Sequence, residues 1–225
     1  MKPMNWMITY AAKIIMGIVC RIEAKEIKKV PAYGPLILYT NHTGSIEAPI
    51  FYSELAPRPV TALAKVESWD NWLLRLVFTA WNIIPIRRGE SDMDAMRAAL
   101  GALEKNNILG ISPEGTRSKT GALIKAKPGI VMLAIHSKAP VQVAAHWGGE
   151  NFTENIKHLK RTDFQIRVGP VFHLDARGER VTKEIRQQMA DEMMYQLAKL
   201  LPAEYRGEYA DLENATVQYL RFVAE

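Results

Sequence analysis

A histidine and a carboxylate stand five positions apart in the segment 41–47, which has the sequence NHTGSIE. The segment follows an apolar run at 36–40 and precedes a helix-like run that begins at Ile46. If His42 lies in the loop, the Glu47 carboxylate can hydrogen-bond one ring nitrogen, fix the tautomer and stabilise the imidazolium. The other ring nitrogen can then act as a general base toward a hydroxyl group.

Two further segments carry groups suited to binding an anion. Residues 112–118, SPEGTRS, place an arginine and several hydroxyls beside backbone amides in one turn. Residues 83–89, IIPIRRG, form a strand-like run that ends in two arginines, and guanidinium groups suit phosphate. Lys65, at the end of an apolar run, and Lys127, before Pro128, add cations that could face the same pocket. Taken singly, each is also compatible with a capped turn or an ordinary surface position.

The elements that position these residues follow an α/β pattern. After Pro31, short apolar runs alternate with helical periods, which is typical of a largely parallel sheet with helices between its strands. Such folds place their sites where strands end and helices begin. The predicted strands are 36–40, 60–65, 83–86, 108–112, 139–146 and 164–168, with a continuation near Val171.

Capping residues predict helices between these strands, and one long surface excursion remains at 149–161. The predicted helices are one capped by Ser91 and Asp94 that ends at 106 or 107, one over 129–137 with Pro128 in its first turn, and one capped by Thr182 with an apolar stripe to Leu200.

The first 20 residues predict a helix at a membrane surface. Residues 4–20 are the most apolar part of the chain, and the first 65 residues carry 8 Lys and Arg against 4 Asp and Glu. A buried core helix is the main alternative. A spanning or cleaved segment is disfavoured, because the stretch is short and Lys13 interrupts it. The polar residues recur every four positions at Asn5, Thr9, Lys13, Gly17 and Arg21.

Composition excludes several other classes of protein. The 225 residues fit one α/β domain, and the net charge of +5 is far from that of a nucleic-acid-binding arm. Cys20 is the only cysteine, so no internal disulfide and no thiolate zinc cluster can form. The phosphate-binding patterns GxGxxG and GxxxxGK[ST] are absent, which argues against a nucleotide-binding enzyme.

The order and spacing of these segments resemble the PlsC-type glycerolipid acyltransferase family. Residues 41–47 match its NHx4D motif, with Glu47 where the family usually has Asp. Further matches are 84–88 with the arginine-ending second block, 113–118 with the EGTRS block, 127–129 with the KxG helix, 139–144 with a proline-containing strand, 65–67 with a lysine-containing segment, and 201–207 with a tail found in many bacterial members.

The resemblance implies a single α/β domain at 23–225, with a mostly parallel mixed sheet flanked by helices, preceded by an interfacial helix at 1–22. It implies acyl transfer from acyl-CoA or acyl carrier protein to the free hydroxyl of a lysophospholipid, above all 1-acylglycerol-3-phosphate, to give phosphatidic acid. No cofactor, metal or nucleic acid is expected. The expected location is the cytoplasmic face of a bacterial membrane, bound peripherally or monotopically through residues 1–20.

The resemblance also assigns roles to residues. His42 would remove the hydroxyl proton while Glu47 orients it, without a covalent enzyme intermediate. The positions that correspond to acceptor binding are Arg88, Glu114, Gly115, Thr116 and Arg117, with Lys65 and Lys127 as secondary phosphate ligands and Pro140 in the acyl-donor region.

Three other functions stay open at this level. The acceptor could be another lysolipid or polar molecule. The protein could instead bind lipid with little catalysis, because the extra methylene of Glu47 moves its carboxylate by about 1 Å, a misplacement that can cost about 10²-fold in rate. A serine hydrolase is disfavoured, since residues 110–115, GISPEG, are not GxSxG and Pro113 removes a backbone N–H needed for an oxyanion hole.

Overall fold

The protein forms an α/β fold in a computed structural model that describes residues 3–87 and 92–223. The helices are α1 Pro3–Val19, α2 Glu47–Glu54, α3 Trp72–Ala80, α4 Met93–Glu104, α5 Gly129–Ser137, α6 Phe152–Lys157 and α7 Lys183–Leu200. The strands are β1 Cys20–Glu23, β2 Leu36–Tyr39, β3 Val60–Lys65, β4 Ile84–Ile86, β5 Ile108–Ile111, β6 Val141–Trp147, β7 Thr162–Leu174 and β8 Leu220–Phe222.

The strands form one mixed sheet in the order β1-β7-β6-β2-β5-β3-β4, with β8 pairing with β7. The five strands from β6 to β4 run parallel, whereas β7 runs antiparallel to β6. The carboxyl ends of β6, β2, β5, β3 and β4 therefore lie along one edge, which we call the carboxyl edge. The predicted fold class, an α/β domain with a mostly parallel mixed sheet, is confirmed.

Helices cover both faces of the sheet, because successive side chains of a strand point to opposite faces. On β2, Ile37 and Tyr39 join the core under α4, α5 and α7, while Leu36 and Leu38 join the core under α1 and α2. All four side chains are buried. This burial on both faces explains why the central strands read as continuous apolar runs in the sequence.

The predicted elements agree with the structure apart from their ends. Strand β6 begins after Pro140, which has no N–H to give to a sheet, and β7 is a single strand of 13 residues. Helix α4 is capped by Asp92, whose carboxylate accepts the N–H of Ala95 at 3.0 Å, and it ends at Glu104. The predicted cap Ser91 lies outside the described residues. The elements not predicted are β1, α3, β8 and α6, the last of which lies in the expected surface excursion.

Helix α1 turns only the first two residues of its polar stripe toward the protein, whereas Lys13, Gly17 and Arg21 are exposed. Asn5 and Thr9 are buried, and the indole Nε1 of Trp81 donates a hydrogen bond to Oγ1 of Thr9 at 3.1 Å. Several apolar side chains face outward, with Ile14 64% and Ile18 66% exposed, whereas Met16 and Val19 pack against the core. No helix in the described part of the chain is both long and apolar enough to cross a bilayer.

The segment after α7 folds back onto the loop that follows β5. The N–H of Leu123 donates to the carbonyl of Tyr205 at 2.9 Å, and the N–H of Glu208 donates to the carbonyl of Leu123 at 3.1 Å. Gly207 makes this approach possible, because its φ is +48° and a Cβ there would lie 2.1 Å from the Leu123 oxygen. The tail thus fixes the end of a loop whose beginning lies at the carboxyl edge.

Candidate active site

The loop after β2 brings His42 and Glu47 into contact. Nδ1 of His42 lies 2.5 Å from Oε1 of Glu47, and the N–H of Gly44 donates to the same oxygen at 3.2 Å. Glu47 is the first residue of α2 and is buried, whereas the side chain of His42 is 25% exposed. No described residue hydrogen-bonds to Nε2 of His42. This nitrogen is therefore available to a substrate, and the longer side chain of glutamate does reach the imidazole.

The environment keeps Glu47 ionised. Burial alone raises the pKa of this carboxyl, but the hydrogen bond with His42 and the electrostatic effect of the neighbouring imidazoles outweigh burial and lower the pKa to about 2. An ionised Glu47 accepts the Nδ1–H of His42 and so selects the tautomer in which Nε2 carries the lone pair. The pair can act as a general base.

The loop after β5 holds the backbone of His42. Oε1 of Glu114 accepts the N–H of His42 at 2.9 Å, and Oε2 accepts the N–H of Ile124 at 3.3 Å. The N–H of Ser118 donates to the carbonyl of His42 at 2.8 Å. Both backbone polar groups of His42 are thereby bound to one neighbouring loop.

The position of Glu114 differs from the one expected of an acceptor-binding residue. The residue is 1% exposed, and each carboxylate oxygen already accepts a backbone N–H. The side chain points beneath the loop, where it contacts the backbone of the proposed base. Its sequence position indicated a residue near the site, but the direction of the side chain could not be read from the motif.

Gly115, Thr116, Arg117 and Lys127 lie together at the surface of this loop. Gly115 has φ +65°, and a Cβ there would lie 3.5 Å from Nζ of Lys127, so the lysine side chain passes over the glycine. The N–H of Lys127 donates to the carbonyl of Pro113 at 2.8 Å. Thr116, Arg117 and Lys127 are exposed. The structure thus brings two of the predicted phosphate-binding cations to the loop that contacts His42.

Other predicted residues lie farther away. Lys65 is exposed at the carboxyl edge, but β5 separates its strand from β2, which corresponds to about 10 Å between strand axes. Arg88 lies outside the described residues, and its neighbour Arg87 is exposed after the edge strand β4. The carbonyl of Pro140 accepts the N–H of Ile37 at 2.9 Å. Pro140 therefore lies at the opposite edge of the sheet, and the structure does not bring it to His42.

Two residues at the carboxyl edge received no role from the sequence. Asn41 precedes His42, and His146, near the end of β6, exchanges three hydrogen bonds with it. One feature of the sequence could have identified His146: it is a polar residue at the carboxyl end of a predicted strand. Within residues 3–87 and 92–223, no group of three His, Cys, Asp or Glu side chains comes together as a metal site would require.

Glu114 should make the stability of the protein depend on pH. Burial, which is the largest cause, and the charge of Glu47 raise its pKa from 4.5 to about 7, against the two backbone hydrogen bonds. Because the folded-state pKa is raised, the wild-type protein loses stability as the pH rises from about 4.5 through 7. Glu114→Gln cannot titrate, so its free energy of unfolding relative to wild type should rise by up to about 3 kcal/mol between pH 5 and 8.

Urea unfolding of both proteins across this pH range measures the difference. A difference that stays constant with pH would show that Glu114 does not titrate in the folded protein near neutrality.

The sequence of the protein matches a known family over the part that contains these loops. The acyltransferase family model matches residues 21–147, which run from β1 to the end of β6 and include the loop with His42 and the loop that contacts it. A 1-acyl-sn-glycerol-3-phosphate acyltransferase of Limnanthes douglasii is 35% identical over 130 residues, which are 56% of this chain and 44% of that protein. The chain therefore spans less than half the length of this relative.

Two bacterial proteins match over more of their length. The 1-acyl-sn-glycerol-3-phosphate acyltransferase of Bacillus subtilis (strain 168) is 23% identical over 163 residues, 72% of this chain and 79% of that protein. The crystal structure of the 1-acyl-sn-glycerophosphate acyltransferase PlsC from Thermotoga maritima superposes with a TM-score of 0.57, covering 84% of this chain and 76% of that one at 19% identity. The fold is shared with this structure, and from the family match the chain belongs to the acyltransferase family.

Proposed function

We propose that the protein transfers a fatty acyl group from a thioester, acyl-CoA or acyl carrier protein, to the free hydroxyl of 1-acylglycerol-3-phosphate. The observation that carries the proposal is the 2.5 Å contact between Nδ1 of His42 and Oε1 of Glu47, with Nε2 unoccupied by any described residue. The relatives whose names specify this acceptor support it.

In the proposed reaction, Nε2 of His42 removes the proton of the acceptor hydroxyl. The alkoxide oxygen bonds to the thioester carbonyl carbon, and the carbon–sulfur bond then breaks. The departing thiolate takes the proton back from the imidazolium. Glu47 stabilises the imidazolium while it exists, which is where a buried, ionised carboxylate contributes most.

The cations near His42 would bind the acceptor phosphate. Arg117 and Lys127 are exposed on the loop that holds His42, and Lys65 is a farther candidate at the carboxyl edge. Arg88 remains a candidate from its sequence position alone. Arginine offers a bidentate fork and lysine a point charge, and both suit a phosphate monoester. Two cations beside the base favour a phosphorylated acceptor over a neutral one.

A serine hydrolase is less compatible with the site. Oγ of Ser112 is buried and has no hydrogen-bond partner among the described residues, so His42 does not activate it. The following residue, Pro113, has no N–H to donate to an oxyanion. Direct attack by the acceptor hydroxyl therefore accounts for the geometry better than a seryl intermediate.

The acceptor and donor are tested with the purified protein. Lysophosphatidic acid, glycerol 3-phosphate and neutral lysolipids are supplied in parallel, each with acyl-CoA and with acyl carrier protein, and products are identified by mass spectrometry. We expect lysophosphatidic acid to give phosphatidic acid at the highest rate. Equal rates on phosphate-free acceptors would overturn the role of the cations. Lipid binding without transfer from either donor would point to a binding protein instead.

Glu47→Gln should fold normally and lose most turnover, by about 10²- to 10⁴-fold in kcat, because the amide can no longer stabilise the imidazolium. Steady-state kinetics with the best donor and acceptor measure the loss, and circular dichroism checks the fold. Ser112→Ala is the matched control and should keep the wild-type kcat. The opposite pattern, with Ser112→Ala inactive and Glu47→Gln active, would favour the hydrolase.

Membrane contact through α1 is part of the same proposal, on the cytoplasmic face of a bacterial membrane. Met7, Ile14 and Ile18 project outward from α1, and Trp72 and Leu73 project outward from α3, which packs beside α1. Contiguous exposed apolar side chains of this size are unusual on a soluble surface. With Asn5 and Thr9 against the protein, α1 would lie on the bilayer by its exposed apolar side chains.

The double substitution Ile14→Gln, Ile18→Gln should weaken binding to anionic vesicles by about 10²-fold or more, since a buried isoleucine contributes roughly 1.5–3 kcal/mol. Vesicle sedimentation measures the binding, and turnover of a water-soluble, short-chain acceptor should be unchanged. The control is Leu159→Asn, which removes an apolar side chain 95% exposed elsewhere and tolerates φ +54°. Equal binding by the two variants would contradict a membrane role for α1.

A further inference from the structure

His146 and Asn41 form a closely fitted pair at the carboxyl edge. Nδ2 of Asn41 donates to the carbonyl of His146 at 2.8 Å, and the N–H of His146 donates to Oδ1 of Asn41 at 3.0 Å. Nε2 of His146 lies 2.9 Å from the backbone carbonyl of Asn41. A carbonyl oxygen can only accept, so Nε2 carries the proton and His146 is in its Nε2–H tautomer.

These three hydrogen bonds extend the pairing of β2 with β6 beyond its last registered pair, Tyr39 and Val143. The side chain of Asn41 takes the place of a backbone partner, and the imidazole of His146 holds the carbonyl that is bonded directly to the nitrogen of His42. The opposite side of His42 is held by Glu114 and Ser118. The backbone of the proposed base is therefore fixed from both neighbouring strands.

The surroundings of His146 favour this neutral form. The ring is fully buried, stacked against Phe164 with centroids 5.1 Å apart and edge-on to Phe51 at 5.9 Å. Burial lowers the pKa of His146 and outweighs the carboxylates of Glu47 and Glu150, which raise it; His42 acts in the same direction as burial.

A leucine or methionine side chain is similar in size to histidine and would fit the apolar surroundings of the His146 ring, which we call the slot. Nδ1 of His146 has no hydrogen-bond partner among the described residues, so the slot gains nothing from that nitrogen. What an apolar side chain would lose is the Nε2–H donor to the carbonyl of Asn41. A buried acceptor left without its donor costs roughly 1–3 kcal/mol, and the carbonyl of Asn41 can lower this cost only by moving toward another donor or water.

We infer that His146 is a positioning residue, whose Nε2–H holds the carbonyl of Asn41 and thereby sets the position of the His42 imidazole relative to Glu47 and the acceptor hydroxyl. The inference rests on the proposed function, since it assigns His42 the role of base. His146 itself touches no substrate in this scheme. Its effect should fall on the chemical step, because neither the phosphate-binding cations nor the membrane face contacts it.

Two substitutions distinguish the effect of losing the Nε2–H donor from the effect of changing the volume of the side chain. His146→Leu removes the donor, whereas His146→Gln keeps an N–H near the position of Nε2. We expect His146→Leu to lower kcat by about 10²-fold, as a displacement of about 1 Å in a catalytic group can do, with KM for acceptor and donor nearly unchanged. His146→Gln should recover most of kcat. If His146→Leu does not fold, His146→Met replaces it in the comparison.

Gln142→Leu is the matched control. Gln142 lies on the same strand and is also buried, and its side chain donates to the carbonyls of Gly169 and Lys29, away from Asn41. This variant should lose stability to urea much as His146→Leu does, yet keep the wild-type kcat. An equal fall in kcat for both leucine variants, or a glutamine variant no more active than the leucine variant, would overturn the inference.

A measurement without substrate keeps the inference separate from the proposed function. Proton NMR of the folded protein should show a strongly downfield signal for Nδ1–H of His42 in its short hydrogen bond with Glu47. We expect this signal to shift or broaden in His146→Leu and to stay in place in Gln142→Leu. An unmoved signal in His146→Leu overturns the positioning role, whereas absence of acyl transfer by the wild-type protein overturns only the proposed function.

Discussion

The proposed active site depends on how the backbone of His42 is held at the carboxyl edge. A hydrogen bond of 2.5 Å between His42 and Glu47 needs both residues in fixed places, yet the loop between them contains glycine and small polar residues that would otherwise be free to move. Glu114 and Ser118 bind one side of the loop and His146 the other. The short loop is thus held by Glu114 and Ser118, which follow β5, and by His146 on β6. We call these three residues the clamp.

The two faces of the sheet are covered by different helices, and only one face carries the proposed catalytic and membrane-binding elements. The helices α4, α5 and α7 cover one face of the sheet with a large apolar core. The other face carries α2, which supplies Glu47, and α1, whose outward side is apolar. Because α1 and α2 pack against each other, the proposed base and the proposed membrane contact share one layer of the fold.

Much of this fold could be predicted from the sequence, and the limits have physical reasons. Strands buried on both faces, such as β2, give apolar runs that are easy to recognise, and the spacing of His42 and Glu47 predicted their contact. The direction of the Glu114 side chain, the burial of Thr9 on α1 and the pairing of His146 with Asn41 could not be read locally. Each depends on a partner far along the chain, separated by 72 residues for His42 and Glu114.

The same long separations bear on the order in which the protein is made. Synthesis delivers the NHTGSIE segment early, while its clamp arrives 72 residues later at Glu114 and is complete only when His146 follows Asn41 by 105 residues. Synthesis proceeds from the amino terminus, so these groups become available in this order. In a growing chain, the proposed membrane contact of α1 would therefore be complete well before the proposed base is fixed.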